Sequence, residues 1–385
     1  MAQQNETDNP SREAYRLRLR CDELLQPQRY VETIFPNWGN LMLTSLNDIS
    51  LTVAFALFSF CAVVIGIIGT RLAGIVDDLA DRTGLGEAIA GAVLLGMATS
   101  LSGIVVSVTA AWTDKPELAM SNALGGIAVQ TLFLTIADMA HRRANLEHAA
   151  ASLGNIIQAA LLLCLLSLLM VGRFAPEWTI WHVHPITPLL FIAYLFGLRL
   201  VRSSQQHPMW SPARTRETRE DQPDETPGKL TLMRLWLIFL GLAFTIGFTG
   251  WLLERSATVI AEETGLSQAA VGVLMTSIAT SLPELVTTVA AVRRGALTLA
   301  VAGIIGGNAF DTLFAAASDV AYRGGSIYHA TPDHVMLWVS ISVLMTGVLM
   351  LGLLQRQEQG PGRIGFESMA IIGLYLVGIA MLMVN

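Results

Sequence analysis

Two short polar segments in the second half of this 385-residue chain hold the side chains most suited to chemistry. The first reads TSLPE at residues 280–284, and the second reads GGNAFD at residues 306–311. Their oxygen-bearing side chains are two hydroxyls, one amide and two carboxylates: Thr280, Ser281, Asn308, Glu284 and Asp311. Hard cations such as Ca²⁺ and Na⁺ prefer oxygen ligands of these kinds. The two segments together predict an oxygen-rich cation site.

Both carboxylates lie within long apolar runs. The chain is 53% hydrophobic and 14% charged, with a mean hydropathy of +0.54, whereas about 25% of the residues in a soluble domain are charged. Runs of about 20 apolar residues can cross a bilayer, and here they are uninterrupted, which predicts helices and not barrel strands. A carboxylate inside such a helix is costly to bury, so it indicates an ion or proton path.

The apolar runs predict an all-α membrane protein with ten transmembrane helices. We expect spans near 50–77, 87–112, 117–140, 152–172 and 185–202 in the first half. In the second half we expect them near 231–258, 268–292, 297–322, 333–354 and 363–384. Residues 1–49 are predicted to be a polar, amphipathic tail, and residues 203–230 are predicted to be a polar linker. The two repeats would then cover 50–202 and 231–385.

The two halves match each other at a constant shift of 181 residues (264 − 83 = 181). The matching segments are 83–85 with 264–266, 98–101 with 279–282, 125–126 with 306–307, and 131–133 with 312–314. Because polar residues and glycines keep one ungapped register, this is an internal duplication. A unit of five spans is odd, so the second copy enters the membrane from the opposite side. Many secondary transporters use such inverted repeats for alternating access.

Pro283 predicts a break in the helix that holds TSLPE. Proline has no backbone N–H and clashes with the preceding helical turn. Irregular backbone at membrane depth is tolerated where it lines a cavity. Thr280, Ser281 and Glu284 would then lie at a break that exposes carbonyl and amide groups.

These two segments resemble the signature repeats of the Ca²⁺/cation antiporter superfamily, which includes sodium/calcium exchangers and cation/proton exchangers. The resemblance covers residues 50–385 and excludes the tail. It implies that Thr280, Ser281, Glu284 and Asp311 are ion ligands and that Asn308 supports a helix crossing. One departure is Gly307, where sodium/calcium exchangers commonly have serine.

The first repeat departs further from the family pattern. Subtracting 181 from Pro283, Glu284, Asn308 and Asp311 gives Ser102, Gly103, Ile127 and Gln130. The resemblance therefore leaves Thr99 and Ser100 as first-repeat ligands, and Gln130 offers one amide oxygen. The family's usual site has an acid from each repeat, whereas here both acids come from the second repeat.

The resulting expectation is a multi-pass protein of the cell membrane, in a bacterial inner membrane, that exchanges Ca²⁺ or a monovalent cation against Na⁺ or H⁺. No cofactor is expected, and the net charge of −6 argues against nucleic acid as a partner. The alternative is an exchanger homologue that no longer transports and acts as a sensor or partner subunit, with the tail as a possible protein-docking segment. An intramembrane enzyme has little support, because the histidines lie in loops or at span ends.

Asp138 and Asp319 are a further matched pair of acids, each eight residues past the Gln130 and Asp311 positions. They are interpreted either as acids at helix ends or as a symmetric pair on the ion entry path.

Overall fold

The computed structural model describes residues 49–83, 99–140, 145–206, 231–295, 297–358 and 365–384. The chain divides into the units Met1–Ser50 and Leu51–Asn385, and all of the described helices belong to the second unit. The tail predicted over residues 1–49, apart from Ile49, lies outside the described residues. The linker predicted over 203–230 also lies outside them, except that a helix continues from the first repeat to Gln206.

Thirteen helices are described in this second unit, and they are numbered in chain order. The first-half helices are α1 (Leu51–Thr83), α2 (Leu101–Trp112), α3 (Pro116–Ala140), α4 (Leu146–Ala149), α5 (Leu153–Phe174) and α6 (Ile186–Gln206). The second-half helices are α7 (Leu232–Thr264), α8 (Gln268–Thr280), α9 (Leu282–Arg294), α10 (Leu297–Ala321), α11 (Ile327–Ala330), α12 (Asp333–Gln355) and α13 (Phe366–Val384).

Most of these helices are long and apolar enough to cross a membrane. Eight meet that description among the described residues, and α8 with α9 forms a bent pair that would make a ninth span. The remaining predicted span, 87–112, falls partly on residues 84–98, outside the described residues, and its described part is the 12-residue helix α2. The chain is thus a multi-pass α-helical membrane protein.

The helix bounds follow the register shift found in the sequence. Helices α1 and α7 begin and end 181 residues apart (232 − 51 and 264 − 83), and the same holds for α3 with α10 and for α4 with α11. The two halves of the chain therefore form these helices in the same order and at equivalent positions.

Helices α3 and α10 form the centre of the unit and contact each other. In the most apolar stretches of α3 and α10, 89% and 78% of the residues are buried, whereas in those of α1 and α7 only 22% are buried. Helices α1 and α7 pack against each other and leave large apolar side chains exposed, such as Phe60 and Phe244. Exposed apolar faces of this kind suit contact with lipid, and the polar site residues lie on and around the buried pair α3 and α10.

Candidate cation-binding site

The predicted helix break is present between α8 and α9, and the chain bends by 45° from the axis of α8 to that of α9. Ser281 is the turn residue between them, and Pro283 is in the first turn of α9, where the lack of an N–H is tolerated. The hydroxyl of Ser102 in α2 donates to the carbonyl oxygen of Thr280 at 3.2 Å. A residue of the first half thus hydrogen-bonds to the backbone exposed at the break.

Glu284 lies in the first turn of α9, just past this break, and is 5% exposed. Its Oε1 accepts a hydrogen bond from the hydroxyl of Ser100 at 3.4 Å. Its Oε2 is buried and has no hydrogen-bond partner in the described part of the chain. The position favours a negative charge, because the amino-terminal end of a helix carries partial positive charge.

Asp311 lies on α10 and is 1% exposed. Its Oδ2 accepts a hydrogen bond from Nε2 of Gln130 at 2.6 Å, and Nε2 of Gln130 also donates to the hydroxyl of Ser281 at 3.2 Å. Gln130 and Asp311 occupy equivalent positions in the two halves, and the structure brings them into direct contact. That contact joins the two halves at the site.

Two glycines leave room around this contact. A Cβ atom built on Gly126 would lie 3.9 Å from both Oδ2 of Asp311 and the hydroxyl oxygen of Ser281. One built on Gly307 would lie 3.5 Å from Oε1 of Gln130. Gly307 therefore faces the site, but it adds no side-chain oxygen there.

Asn308 joins α10 to α3. Its Nδ2 donates to the hydroxyl of Thr131 at 2.9 Å, and that hydroxyl donates to the carbonyl oxygen of Ile127 at 2.8 Å. This contact fits the expected supporting role at the helix crossing. The Oδ1 of Asn308 is buried, and no described residue hydrogen-bonds to it.

The hydroxyl-bearing residues differ in whether they lie beside the two carboxylates or bond only to their own helix. Thr280 donates back to the carbonyl of Thr276 at 2.9 Å in its own helix, as an isolated hydroxyl in a span usually does. Thr99 and Ser100 are 3% and 2% exposed and lie beside Glu284. Ser100 also lies beside Asp311, which places its hydroxyl near both carboxylates.

Four buried oxygens around the two acids have no hydrogen-bond partner among the residues that the structure describes. They are Oε2 of Glu284, Oδ1 of Asp311, Oε1 of Gln130 and Oδ1 of Asn308. Buried polar atoms are nearly always paired, because an unpaired one loses its hydration without compensation. Four unpaired oxygens are the arrangement expected where a cation binds. No three acidic, histidine or cysteine side chains form a metal-binding group in the part of the chain that the structure describes, so neutral oxygens would have to complete the ligand set.

Gly103, which stands at the position equivalent to Glu284, packs against an aromatic ring. A Cβ atom built on Gly103 would lie 2.6 Å from Cε2 of Phe314, a distance that real Cβ atoms essentially never show. The space beside Gly103 is thus filled by a side chain of α10. The sequence showed that the first-repeat acid was missing, but nothing in it indicated that Phe314 fills this space.

Asp138 and Asp319 have matching structural roles at helix ends. Oδ1 of Asp138 accepts from the amide of Leu146 at 2.7 Å, and Oδ1 of Asp319 accepts from the amide of Ile327 at 3.0 Å. Each acid thus binds the first residue of the short helix that follows it, α4 or α11. These contacts support the interpretation as acids at helix ends.

Known proteins resemble this chain over nearly all of its membrane unit. The sequence profile of the family described as "Sodium/calcium exchanger protein" matches residues 53–201 and 233–384. Inner membrane protein YrbG of Escherichia coli K12 is 29% identical over 317 residues, which is 81% of this chain and 91% of YrbG. A putative antiporter, CaxA of Alkalimonas amylolytica, is 29% identical over 302 residues, which is 77% of this chain and 89% of CaxA.

Solved structures of a sodium-calcium exchanger, NCX_Mj, have the same fold. One, soaked with 10 mM Na⁺ and no Ca²⁺, superposes with a TM-score of 0.57 at 17% identity, covering 86% of this chain and 99% of the exchanger. Another, soaked without Na⁺ or Ca²⁺, gives a TM-score of 0.55 at 17% identity with the same coverage.

Proposed function

Because the chain belongs to the sodium/calcium exchanger protein family, we propose that it is a secondary active cation antiporter. It would exchange Ca²⁺ or a monovalent cation against Na⁺ or H⁺ across a bacterial inner membrane, without a cofactor. The observation that carries this proposal is the set of four unpaired, buried oxygens around Glu284 and Asp311. Among the described residues no positively charged side chain is found to act on Glu284 or Asp311, and a dehydrated cation would supply that charge.

The ligand set suits a small hard cation but is sparse for Ca²⁺. Two carboxylates match the charge of one divalent ion, whereas Ca²⁺ usually takes six to eight oxygen ligands. The nearby neutral oxygens come from side chains of both halves: Thr99, Ser100, Gln130, Thr280, Ser281 and Asn308. Water or backbone carbonyls would have to complete the shell. A monovalent ion, or a proton on one carboxylate, needs fewer ligands and competes for the same two acids.

The two halves would work as inverted repeats of five spans each, over 50–202 and 231–385. The shared helix bounds support this, as does the Gln130–Asp311 hydrogen bond between equivalent positions. In alternating access one bundle of helices rocks against another around a fixed site. The chain would expose Glu284 and Asp311 first to one side of the membrane and then to the other.

A non-transporting homologue is the second candidate, and one observation favours it. The place of a first-repeat acid is filled by the Phe314 ring packed on Gly103, so the site has fewer charged ligands than the family pattern supplies. The protein would then serve as a sensor or partner subunit, with the tail over residues 1–49 as a possible docking segment for another protein.

The two candidates are separated by reconstituting the purified protein in liposomes and imposing gradients of Ca²⁺, Na⁺, K⁺ and H⁺ in pairs. The antiporter proposal expects movement of one cation that depends on an opposing gradient of another. Folded protein with no coupled movement under any pair would favour the non-transporting candidate. A thermal shift with each cation checks binding separately, since a ligand that binds the folded state stabilises it.

A further inference from the structure

A second group of buried acids lies outside the candidate cation site, where the end of α3 meets α4, the end of α12 and the start of α13. We call Asp138, Glu147 and Glu367 the acidic corner. Each is 1% exposed. Asp138 is held by the amide of Leu146 and by the hydroxyl of Ser368 at 3.0 Å. The corner is closed by backbone contacts as well, because the amide of Asn145 donates to the carbonyl oxygen of Glu358 at 3.0 Å.

Glu147 and Glu367 differ from Asp138 in that one carboxylate oxygen of each is unpaired. Within the described residues, Oε2 of each glutamate is buried without a hydrogen-bond partner. Two ionised carboxylates side by side would repel each other and would both lose hydration. Burial raises the pKa of Glu147 well above its ordinary value, and the charges of Asp138 and Glu367 raise it further. A proton on one glutamate would remove one charge and provide the missing hydrogen-bond donor.

The matching corner of the second half shows that the scaffold does not need these glutamates. The position equivalent to Glu147 is Tyr328 (147 + 181 = 328), and the position equivalent to Glu367 is Ile186 (367 − 181 = 186). There the hydroxyl of Thr187 donates to Oδ2 of Asp319 at 2.6 Å and lies 2.8 Å from the hydroxyl of Tyr328. That corner has one acid with paired oxygens, whereas the first-half corner has three acids and two unpaired oxygens.

Two other ionisable groups near Glu147 in the described part of the chain make hydrogen bonds to backbone. From α4, His148 has its Nδ1 2.7 Å from the carbonyl oxygen of Arg356. From the end of α12, the guanidinium of Arg356 donates to the carbonyl oxygen of His148 at 3.3 Å. Helix α3 contributes Asp138 and α13 contributes Glu367. Among the described residues, the charges found to act on Glu147 are those of Asp138 and Glu367, and both are negative.

We propose that Glu147 is a proton-binding site, separate from the candidate cation site, and that its bound proton is donated in a hydrogen bond to Glu367 while the acidic corner is closed. Loss of this proton leaves adjacent buried charges, and the corner opens so that they become hydrated. Helix α3 contains both Asp138 in the corner and Gln130 in the candidate cation site, so an opening of the corner acts on a helix that lines the ion path.

The test is amide hydrogen exchange of the full-length protein in detergent, followed by mass spectrometry on residues 145–149. It runs from about pH 6 to about pH 9, above the usual glutamate pKa of about 4.3. After correction for intrinsic exchange, protection in the wild type should fall as pH rises, by up to about tenfold per pH unit for one proton lost on opening. Both Glu147→Gln and Glu367→Gln should abolish this fall, whereas Glu177→Gln, at an exposed loop position, should keep it.

The proposal is overturned if protection in the wild type does not change with pH, or if the fall persists in either glutamine variant. His148 is unchanged in all these variants, so a fall caused by histidine would persist and would count against the proposal. Should one variant fail to fold, the other variant and the wild type still decide the result. The experiment measures no transport, so its outcome does not depend on which ions the protein exchanges.

Discussion

Replacing Gln130 by glutamate would place a third carboxylate at the proposed cation site. In the structure, Nε2 of Gln130 donates to Oδ2 of Asp311 at 2.6 Å. In Gln130→Glu this donor is lost, and a negative charge takes its place next to Asp311. Two like charges about 4 Å apart repel each other by about 4 kcal/mol at an effective dielectric constant near 20. The cation-free variant should therefore be destabilised by up to about that amount at a pH where both acids are ionised.

The same substitution should strengthen the binding of a divalent cation. A bound Ca²⁺ would neutralise the added charge and gain a ligand, so the destabilisation should be relieved by the ion. Thermal unfolding in detergent, followed by the fluorescence of the eight tryptophans, measures both effects. The variant should melt below the wild type without cations, and added Ca²⁺ should raise its melting temperature more than that of the wild type.

Gln130→Met is the matched control, because it removes the same hydrogen bond without adding charge. Loss of a hydrogen bond to a buried carboxylate should cost about 1–3 kcal/mol, and Ca²⁺ should not relieve this loss beyond its effect on the wild type. If Gln130→Glu is as stable as the wild type without cations and gains no extra stability from Ca²⁺, then Gln130 does not lie beside Asp311 in a cation site.

Three other substitutions test separate parts of the structure. Gly103→Ala should lower the free energy of unfolding by about 1–3 kcal/mol, because its Cβ would lie 2.6 Å from a ring carbon of Phe314. Adding Phe314→Leu in a double variant should recover part of this loss. An unchanged melting temperature in Gly103→Ala would show that the ring does not pack on Gly103. Asp319→Asn removes the charged acceptor of two backbone amides and a hydroxyl. It should lower the free energy of unfolding by about 1–3 kcal/mol and speed amide hydrogen exchange in α11. Unaltered exchange in α11 would contradict this role of Asp319. Arg173→Ala breaks an ion pair with Asp333, whose side chain is 86% exposed. The free energy of unfolding in a denaturant titration should therefore fall by less than about 1 kcal/mol. A larger fall would show that the pair is shielded from water.

Much of the helical framework could be predicted from apolar runs and from the internal register. The predicted span 297–322 corresponds to Leu297–Ala321, and 152–172 corresponds to Leu153–Phe174. The first span of each half was predicted to end at 77 and 258, and helices α1 and α7 continue beyond these positions to Thr83 and Thr264. The apolar blocks end earlier than the helices do, because polar residues continue the helical hydrogen bonding beyond them.

The pairings between the halves could not be predicted in the same way. The register shift placed Gln130 and Asp311 at equivalent positions, but equivalence in a repeat does not imply contact. The packing of α10 against α2 decides that the Phe314 ring fills the space beside Gly103. Glu147 and Glu367 lie far apart in sequence and come together only because α4 and α13 both meet the end of α3. Such contacts depend on tertiary packing, for which a single sequence has no local signal.

The central claim is that cations cross the membrane by way of Glu284 and Asp311. The direct measurement is the initial rate of coupled cation exchange in liposomes, for the ion pair found active in the wild type. Glu284→Gln and Asp311→Asn keep the shape of each side chain, and each should reduce exchange to the level of protein-free liposomes. Glu177→Gln, which alters an exposed loop residue, should leave the rate unchanged. Coupled exchange that continues in either site variant, with the protein folded and inserted, would contradict the account.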